Sequence, residues 1–467
     1  MIVAAVIAAF AALLWLVRLA PRVSPVAATL AVLVVGYVLG YELWHADAGP
    51  IPLTLDRLML VGFAGLLAWR WRTGRVRWST PCGLDWAVVL TLVVLSVSCV
   101  LNKPGDDVNT PAAPLFRLVV SFWTPAFLYG VLRQEQFDEK TTRWFLVAIA
   151  SLGVYLGVTA LLETAGLWSL VFPRYIANPE LGLHFGRARG PALNSVSMGV
   201  YLGVAAVAAW LLIPRASRAM KLFWFSAVTL MSFGVLLTFT RSTWLGLAGA
   251  IVTVVGLQLP KRVQKPAFIA TAVFGALFLA VGKDAIVGLK REDSAEVSAH
   301  SVQQRTAFAY ISMQMFADHP LWGVGFGRFY DQKLPYLTDR RQSFELESLR
   351  GLHHHNTFLS LLTETGLLGL VAYLAVLSGM ARVGWRLAHA AELGSEQRRL
   401  GLFLLGSLAV YAPSALFHDL TLVHSDQWML FVAAGAATGC WMNQESHKAA
   451  TAAEPVTFTA GNQHAYA

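Results

Sequence analysis

Uncharged apolar stretches of about bilayer length recur along the whole of this 467-residue chain. A helix needs roughly 18 to 20 such residues to cross the hydrocarbon core of a membrane. Charged residues make up 13% of the chain and hydrophobic residues 56%, whereas a soluble domain carries about 25% charged residues. The sequence therefore predicts an all-α polytopic membrane protein.

Short basic clusters separate the apolar stretches in pairs. The positive-inside rule assigns such clusters to cytoplasmic loops, so the net charge of +9 reflects topology and predicts no nucleic-acid partner. The clusters are Arg18 and Arg22; Arg70, Arg72, Arg75 and Arg77; Arg133, Lys140 and Arg143; Arg215, Arg218 and Lys221; Lys261, Arg262 and Lys265; and Arg382, Arg386, Arg398 and Arg399.

With these loops inside, the sequence predicts 12 to 13 membrane-spanning helices, the first and the short third being the weakest. An N-terminal group lies within 1–282, a C-terminal group within 356–443, and a polar tail, 444–467, is expected to be disordered. The predicted spans lie near residues 2–17, 25–44, 54–70, 84–101, 115–132, 143–164, 192–213, 221–239, 242–259, 266–282, 356–381, 400–417 and 427–443.

The segment 283–355 is by far the longest between predicted spans. It is expected to lie on the external side of the membrane, opposite the cytoplasm. A loop of this length in a compact protein usually serves function. Within it, the stretch that begins at Arg305 predicts a helix of about twelve residues that stops before Pro320, followed by a loop with Gly323, Gly325 and Gly327.

Four arginines lie at the outer edge, where the positive-inside rule does not explain them: Arg117, Arg189, Arg241 and Arg305. A guanidinium costs at least ~2.5–3.5 kcal/mol at mid-bilayer, so each needs to snorkel, to pair with a carboxylate or to bind a ligand. Arg241 joins two apolar helices and has no acidic residue near it in sequence. Its fork of donors suits a phosphate or diphosphate, and Arg189 in "GRARG" shows a weaker form of this pattern.

Three consecutive histidines, His353, His354 and His355, precede Asn356 and an apolar run that contains Glu364. Their spacing lacks the grouped thiolate, carboxylate or H-x3-H pattern of zinc sites, so no metal site is predicted. They form either a polar helix start with Asn356 near the N-cap or the mouth of a cavity where a neutral imidazole acts as general base. Glu364 needs a partner or a water-filled cavity.

Four motifs in this order resemble the O-antigen ligase and polymerase superfamily, over roughly 187–369. "HHHNTFLSLLTETGLLGL" resembles its His-Asn pair at a helix start, followed by an acidic residue and Gly-x-x-Gly. "RTAFAYISMQMFADHPLWGVGFGRF" resembles the stretch just upstream, "FTRSTWLGL" the Ser/Thr-Arg helix junction, and "RARGPALNSVSMG" an Arg-Gly…Asn element. The matching positions are His355, Asn356, Glu364, Gly366 and Gly369; Arg305, Asp318, His319, Pro320, Gly323 and Gly325; Arg241; and Arg189, Gly190 and Asn194.

The resemblance implies a glycosyltransferase of the GT-C type in the bacterial inner membrane, with its active site facing the periplasm. Its donor would be an undecaprenyl-diphosphate-linked glycan and its acceptor lipid A–core, with no metal or other cofactor and with inversion at the anomeric carbon. Arg189, Arg241 and Arg305 are then expected to bind the diphosphate, and His355 to act as base or to orient the acceptor. Arg117, Asn356 and Glu364 are expected to support the site.

The sequence departs from the family pattern in its three consecutive histidines, where members often have His-x-His-Asn, so His353 or His354 stays open for the role assigned to His355. The superfamily also includes polymerases that join lipid-linked repeat units and protein O-oligosaccharyltransferases. Ligase is favoured because the large loop leads directly into the His-Asn motif. A transporter is the alternative from another class, although it predicts more ionisable residues near mid-helix than this chain has.

Overall fold

A computed structural model of the chain describes residues 23–47, 51–74, 79–102, 113–260, 262–266, 268–269, 295–339, 345–390 and 395–453. Seven of the described helices are long and apolar enough to cross a membrane. This confirms the prediction of an all-α polytopic membrane protein. The predicted first span, 2–17, and nearly all of the tenth, 266–282, lie outside the described residues, so the total of 12 to 13 spans stays a prediction.

The described helices follow one another along the chain with one small hairpin, His45–Ala46 paired antiparallel with Leu53–Thr54, between the first two. The seven apolar helices are Gly83–Leu101, Pro114–Leu132, Glu139–Thr164, Ser195–Arg215, Arg218–Leu237, Thr357–His389 and Glu396–Phe417. The helices are α1 (Pro25–Val38), α2 (Leu55–Arg72), α3 (Gly83–Leu101), α4 (Pro114–Leu132, with a π-helical turn at Val119–Trp123), α5 (Glu139–Thr164), α6 (Ser195–Leu212), α7 (Arg218–Leu237), α8 (Arg241–Gln258), α9 (Ala295–Asp318), α10 (Phe329–Gln332), α11 (Thr357–Ala390), α12 (Glu396–Phe417) and α13 (His424–Ala453).

Several predicted boundaries were wrong, among them the end of α11, which lies at Ala390 rather than near residue 381. Helix α1 ends at Val38 rather than near residue 44, because the chain then turns into the hairpin. Helix α9 ends before Pro320 as predicted but begins at Ala295, since the residues before Arg305 contain neither proline nor glycine. Helix α13 continues to Ala453, inside the segment expected to be a disordered tail, because that stretch is rich in good helix formers.

Helix α6 lies at the centre of the core, with almost every residue buried. It carries no charged residue, and it packs against α5, α7, α8 and α12. A Cβ atom on Gly199 would lie 2.6 Å from Thr243 of α8, and one on Gly203 would lie 3.0 Å from Val410 of α12. These glycines therefore let neighbouring helices approach closely. This packing fixes the position of the start of α6, where Ser195 lies.

Helix α11 is broken at Gly366, which has φ 64° and ψ −162°. The glycine-rich loop after α9 docks against the break. Val324 and Gly325 donate their N–H groups to the carbonyls of Thr363 and Glu364, each at 2.9 Å. Leu367 in turn donates to the carbonyl of Pro320 at 2.9 Å. The loop thus satisfies backbone groups that the break would leave unpaired, and it ties the large loop to the helix that carries Glu364.

Candidate active site

The N-termini of α6 and α8 meet beside His184. The hydroxyl of Ser195, the first residue of α6, lies 3.0 Å from that of Thr240, which precedes α8, and 2.9 Å from Nδ1 of His184. His184 and Phe239 adopt φ values of 63° and 48°, which non-glycine residues rarely do. Two positive helix-dipole ends therefore adjoin one strained, hydrogen-bonded junction.

Arg241 opens α8 at this junction and is exposed. Within the part of the chain that the structure describes, no hydrogen bond or ion pair engages its guanidinium. A helix N-terminus with an adjacent unpaired guanidinium is suited to an anion such as phosphate. Arg241 therefore has the position that the sequence predicted for a diphosphate ligand, and that role stays a prediction.

Arg189 is only 1% exposed and organises the loop in front of α6. Its Nη2 donates to the carbonyls of Ile176 and Asn178, at 2.8 and 2.6 Å. Its backbone N–H and that of Gly190 donate to the carboxylate of Glu163, at 3.1 and 2.9 Å. As placed, Arg189 faces carbonyl oxygens of its own loop, so direct diphosphate binding by this residue stays a prediction that requires it to leave them.

The three histidines point into different surroundings. His354 is buried; its ring lies on Phe329, with centroids 3.6 Å apart, and its Nε2 lies 2.9 Å from the hydroxyl of Thr363. Burial lowers the pKa of His354 well below its ordinary value. His353 is half-buried beside Tyr330, with centroids 4.9 Å apart, whereas His355 is exposed. The structure thus separates a core histidine from an accessible one.

Lys333 contacts the backbone just before the three histidines. It is fully buried, its ammonium donates to the carbonyl of Leu352, and it lies 4.4 Å from the centroid of the Tyr330 ring. Burial lowers the pKa of Lys333 to about 8. Nothing in the sequence distinguishes this residue, because a lysine in a polar loop gives no signal of burial.

His355 lies near Arg305 and His418. Arg305 sits 5.5 Å from the ring centroid of Phe417, the residue before His418. Partial desolvation and the guanidinium of Arg305 lower the pKa of His355, although Asp419 opposes the shift. Burial lowers the pKa of His418 to about 3, with further contributions from Arg305, His355 and His184. These imidazoles are therefore neutral at pH 7, and His418 and His184 connect the Arg305 side of the site with the Arg241 side.

Asn356 fixes His355 at the start of α11. Its side-chain oxygen accepts hydrogen bonds from the N–H groups of Phe358 and Leu359, at 2.8 and 2.9 Å, which makes it the N-cap. Its Nδ2 donates to the carbonyl of Leu416 at 2.8 Å. The side chain predicted to support the site thus joins the start of α11 to the end of α12, next to His418.

Arg117 lies beneath this surface in a buried network. Its guanidinium contacts the carboxylates of Glu364 at 2.7 Å and Asp419 at 3.3 Å, and the three residues are 2%, 3% and 6% exposed. It also donates to the hydroxyls of Thr421 and Ser360, at 2.8 and 3.0 Å. The partner that Glu364 needs is therefore Arg117, and both residues connect α4 and α11 with the loop after α12.

The structure places four of the predicted residues at one candidate site and buries Arg117, Arg189, His354 and Glu364. Arg241 and Arg305 lie on its two sides, with His355 and Asn356 at the start of α11. His184, Ser195, Thr240, His418, Asp419 and Lys333 were not assigned roles from the sequence, because no local pattern distinguishes them. Among the described residues, no three His, Cys, Asp or Glu side chains are grouped so as to hold a metal ion.

Comparison with known proteins gives two findings. Residues 226–374 match the model of the family described as "O-Antigen ligase". The chain is also 25% identical, over 367 residues, to the exopolysaccharide production protein ExoQ of Rhizobium meliloti (strain 1021), covering 75% of this chain and 81% of the relative. The matched residues include Arg241, Arg305, His355 and Glu364.

Proposed function

Because the chain belongs to the O-antigen ligase and polymerase superfamily, we propose that it transfers a glycan from undecaprenyl diphosphate to an acceptor at the periplasmic face of the bacterial inner membrane. One observation carries the proposal. Arg241, whose exposed guanidinium has no partner among the described residues, stands at the adjoining starts of α6 and α8, in a cluster that His184 and His418 extend to Arg305 and His355.

The arginines serve the leaving group. When the bond between the sugar and the lipid diphosphate breaks, negative charge builds up on the phosphate oxygens. Arg241, assisted by the two helix N-termini, and Arg305 stabilise that charge, which is the role of fixed donors in such reactions. Transfer then requires no metal ion.

His355 serves the acceptor. Its lowered pKa keeps the imidazole neutral, so its free nitrogen can accept the proton of an acceptor hydroxyl as that oxygen attacks the anomeric carbon. Direct attack inverts the configuration at that carbon. The lowered pKa of His418, about 3, makes it a poor base, and the alternatives from the sequence, His353 and His354, are half-buried and fully buried.

Lipid A–core is the first candidate acceptor, which would make this chain an O-antigen ligase, as the matched family description supports. A second candidate acceptor is another lipid-linked glycan, which would make it a polymerase. The similarity to a relative named for exopolysaccharide production favours this second reading.

The test is transfer by the purified full chain in nanodiscs, from an undecaprenyl-diphosphate glycan and in the presence of EDTA. Parallel reactions offer lipid A–core or a second lipid-linked glycan as acceptor. His355→Ala is the test variant, and His389→Ala, at the other end of α11, is the matched control. Product on lipid A–core that is lost only in His355→Ala supports the ligase, and lengthened lipid-linked chains support the polymerase. No product from folded protein in either reaction would refute the proposal and favour the transporter.

A further inference from the structure

A cavity of about 970 Å³ lies beside the candidate active site and takes no part in the chemistry proposed above. This volume is at the upper end of the roughly 300–1,000 Å³ typical of sites for small molecules. Its walls come from α1, the hairpin, α2 and α4 on one side, and from the segments 182–194 and 422–428 on the other.

Two stretches of chain contribute residues both to the cavity and to the candidate active site. In the first, Leu183 and Asn194 line the cavity, while their chain neighbours His184 and Ser195 hydrogen-bond to each other at 2.9 Å in the active site. In the second, Ser425 lines the cavity, a few residues after His418. A chain-like substrate that reacts at His355 therefore has an adjoining chamber for the sugars that follow.

The lining combines carboxylates with aromatic rings. Glu42, Asp47 and Asp56 supply acceptors for hydroxyl groups, and Tyr41 and Phe116 supply ring faces. Three carboxylates disfavour an anion and an acyl chain alike, since an apolar chain leaves them without partners. Alternating hydroxyl groups and C–H faces, as in uncharged sugars, match both kinds of lining group.

The wall of the cavity also includes a cation, Arg57. The guanidinium of Arg57 lies 4.9 Å from the ring centroid of Phe116 and donates through Nη1 to the carbonyl of Pro52. Its Nε is buried and has no acceptor among the described residues. The lining is therefore mixed in charge, with one guanidinium beside three carboxylates.

We propose that this cavity binds an uncharged oligosaccharide segment of the glycan substrate, at a distance from the reacting sugar. The inference rests on the proposed function for its biological meaning, but the binding itself is measurable without transfer. The cavity then determines which glycans are accepted, while Arg241, Arg305 and His355 act on the bond that is broken.

The test uses the full chain in nanodiscs and a defined probe, the lipid-free oligosaccharide released by mild acid from the lipid-linked glycan of the expressing bacterium. Binding is measured by isothermal titration calorimetry. The variant Tyr41→Ala/Glu42→Gln removes a ring and a charge from the lining. Its matched control is Trp44→Ala/Glu180→Gln, because both residues are exposed and neither lines the cavity.

We expect the cavity variant to weaken probe binding by about tenfold or more, as loss of central contacts does, while the control variant and His355→Ala bind like the parent. In the transfer assay, the same cavity variant should raise KM for the glycan about tenfold and leave kcat within about twofold. A merely structural role would lower both the folded fraction and kcat.

The outcomes separate the two proposals. Binding that depends on the cavity, without any transfer, would support the cavity and refute the proposed function. Transfer with unchanged KM and unchanged probe binding in the cavity variant would overturn the cavity proposal and leave the function standing. Absence of probe binding together with a co-purified lipid, detected by native mass spectrometry and lost in the cavity variant, would also overturn it by showing a lipid site.

Discussion

Arg117 and Arg241 are the same residue type at the same predicted edge of the membrane, yet their surroundings are opposite. Arg117 is 2% exposed and contacts two carboxylates and two hydroxyls, whereas Arg241 is exposed and unpaired among the described residues. A buried guanidinium with four of its five N–H groups engaged holds elements together and is not placed to bind a ligand. An arginine near hydrocarbon therefore identifies a ligand site only when its partners are known.

The largest expected effect comes from breaking the buried side of this comparison. Arg117→Ala leaves Glu364 and Asp419 as uncompensated buried carboxylates, and removing one partner of such a network costs about 3–5 kcal/mol. We expect a large fall in Tm and in the yield of folded protein in detergent, measured by thermal unfolding with size-exclusion chromatography. Arg241→Ala is the matched control and should not change Tm. Equal Tm values for both variants would contradict the distinction between the two arginines.

The two neighbouring histidines give the second prediction. His355→Ala should lower the transfer rate by about 10²–10⁴-fold, as loss of a general base does, without a change in Tm. His354→Ala should lower Tm, because it removes the packing on Phe329 and the contact with Thr363. The transfer rates and Tm values of both variants show which histidine acts in transfer and which one stabilises the fold. If His354→Ala keeps its Tm and loses activity, the assignment of the base to His355 is wrong.

The two arginines and the two histidines also show which features of the site can be predicted from the sequence. Asn356 as an N-cap and the end of α9 before Pro320 follow from local chemistry, so a sequence reading finds them. The pairing of Arg117 with Asp419 joins residues about 300 positions apart, and no local pattern shows it. Likewise, adjacent histidines look equivalent until the packing of Phe329 buries one of them. Which outer-edge arginine is free is therefore decided by tertiary contacts.

The exposed side of the comparison gives the third prediction. Arg241→Ala should lower the transfer rate by about 100-fold, a typical loss for one donor to a developing negative charge. Arg241→Lys should recover only part of the rate, since a lysine keeps the charge but lacks the fork of donors. Steady-state kinetics of both variants provide the measurement, with Arg218→Ala at the other end of α7 as the control. Full activity of Arg241→Ala would exclude it from the site.

The smallest expected effect is a pH dependence of stability that comes from the buried imidazoles. Burial lowers the pKa of His418 to about 3 and that of His354 well below its ordinary value. Between about pH 6.5, the ordinary pKa of histidine, and the lowered native value, the unfolded chain binds more protons than the folded chain. Stability is therefore fully present above pH 6.5 and decreases as the pH falls, by at most about 1.4 kcal/mol per pH unit for each such histidine.

Thermal unfolding between pH 7.5 and 5 measures this slope, and His418→Gln should reduce it because one of the two titrating groups is removed. His319→Gln, an exposed histidine of the large loop, is the control and should leave the slope unchanged. The two variants compare a histidine in the interior with one on the surface. A slope that His418→Gln does not reduce would mean that the imidazole is already accessible to protons in the folded state, and His418 would then compete with His355 as the base.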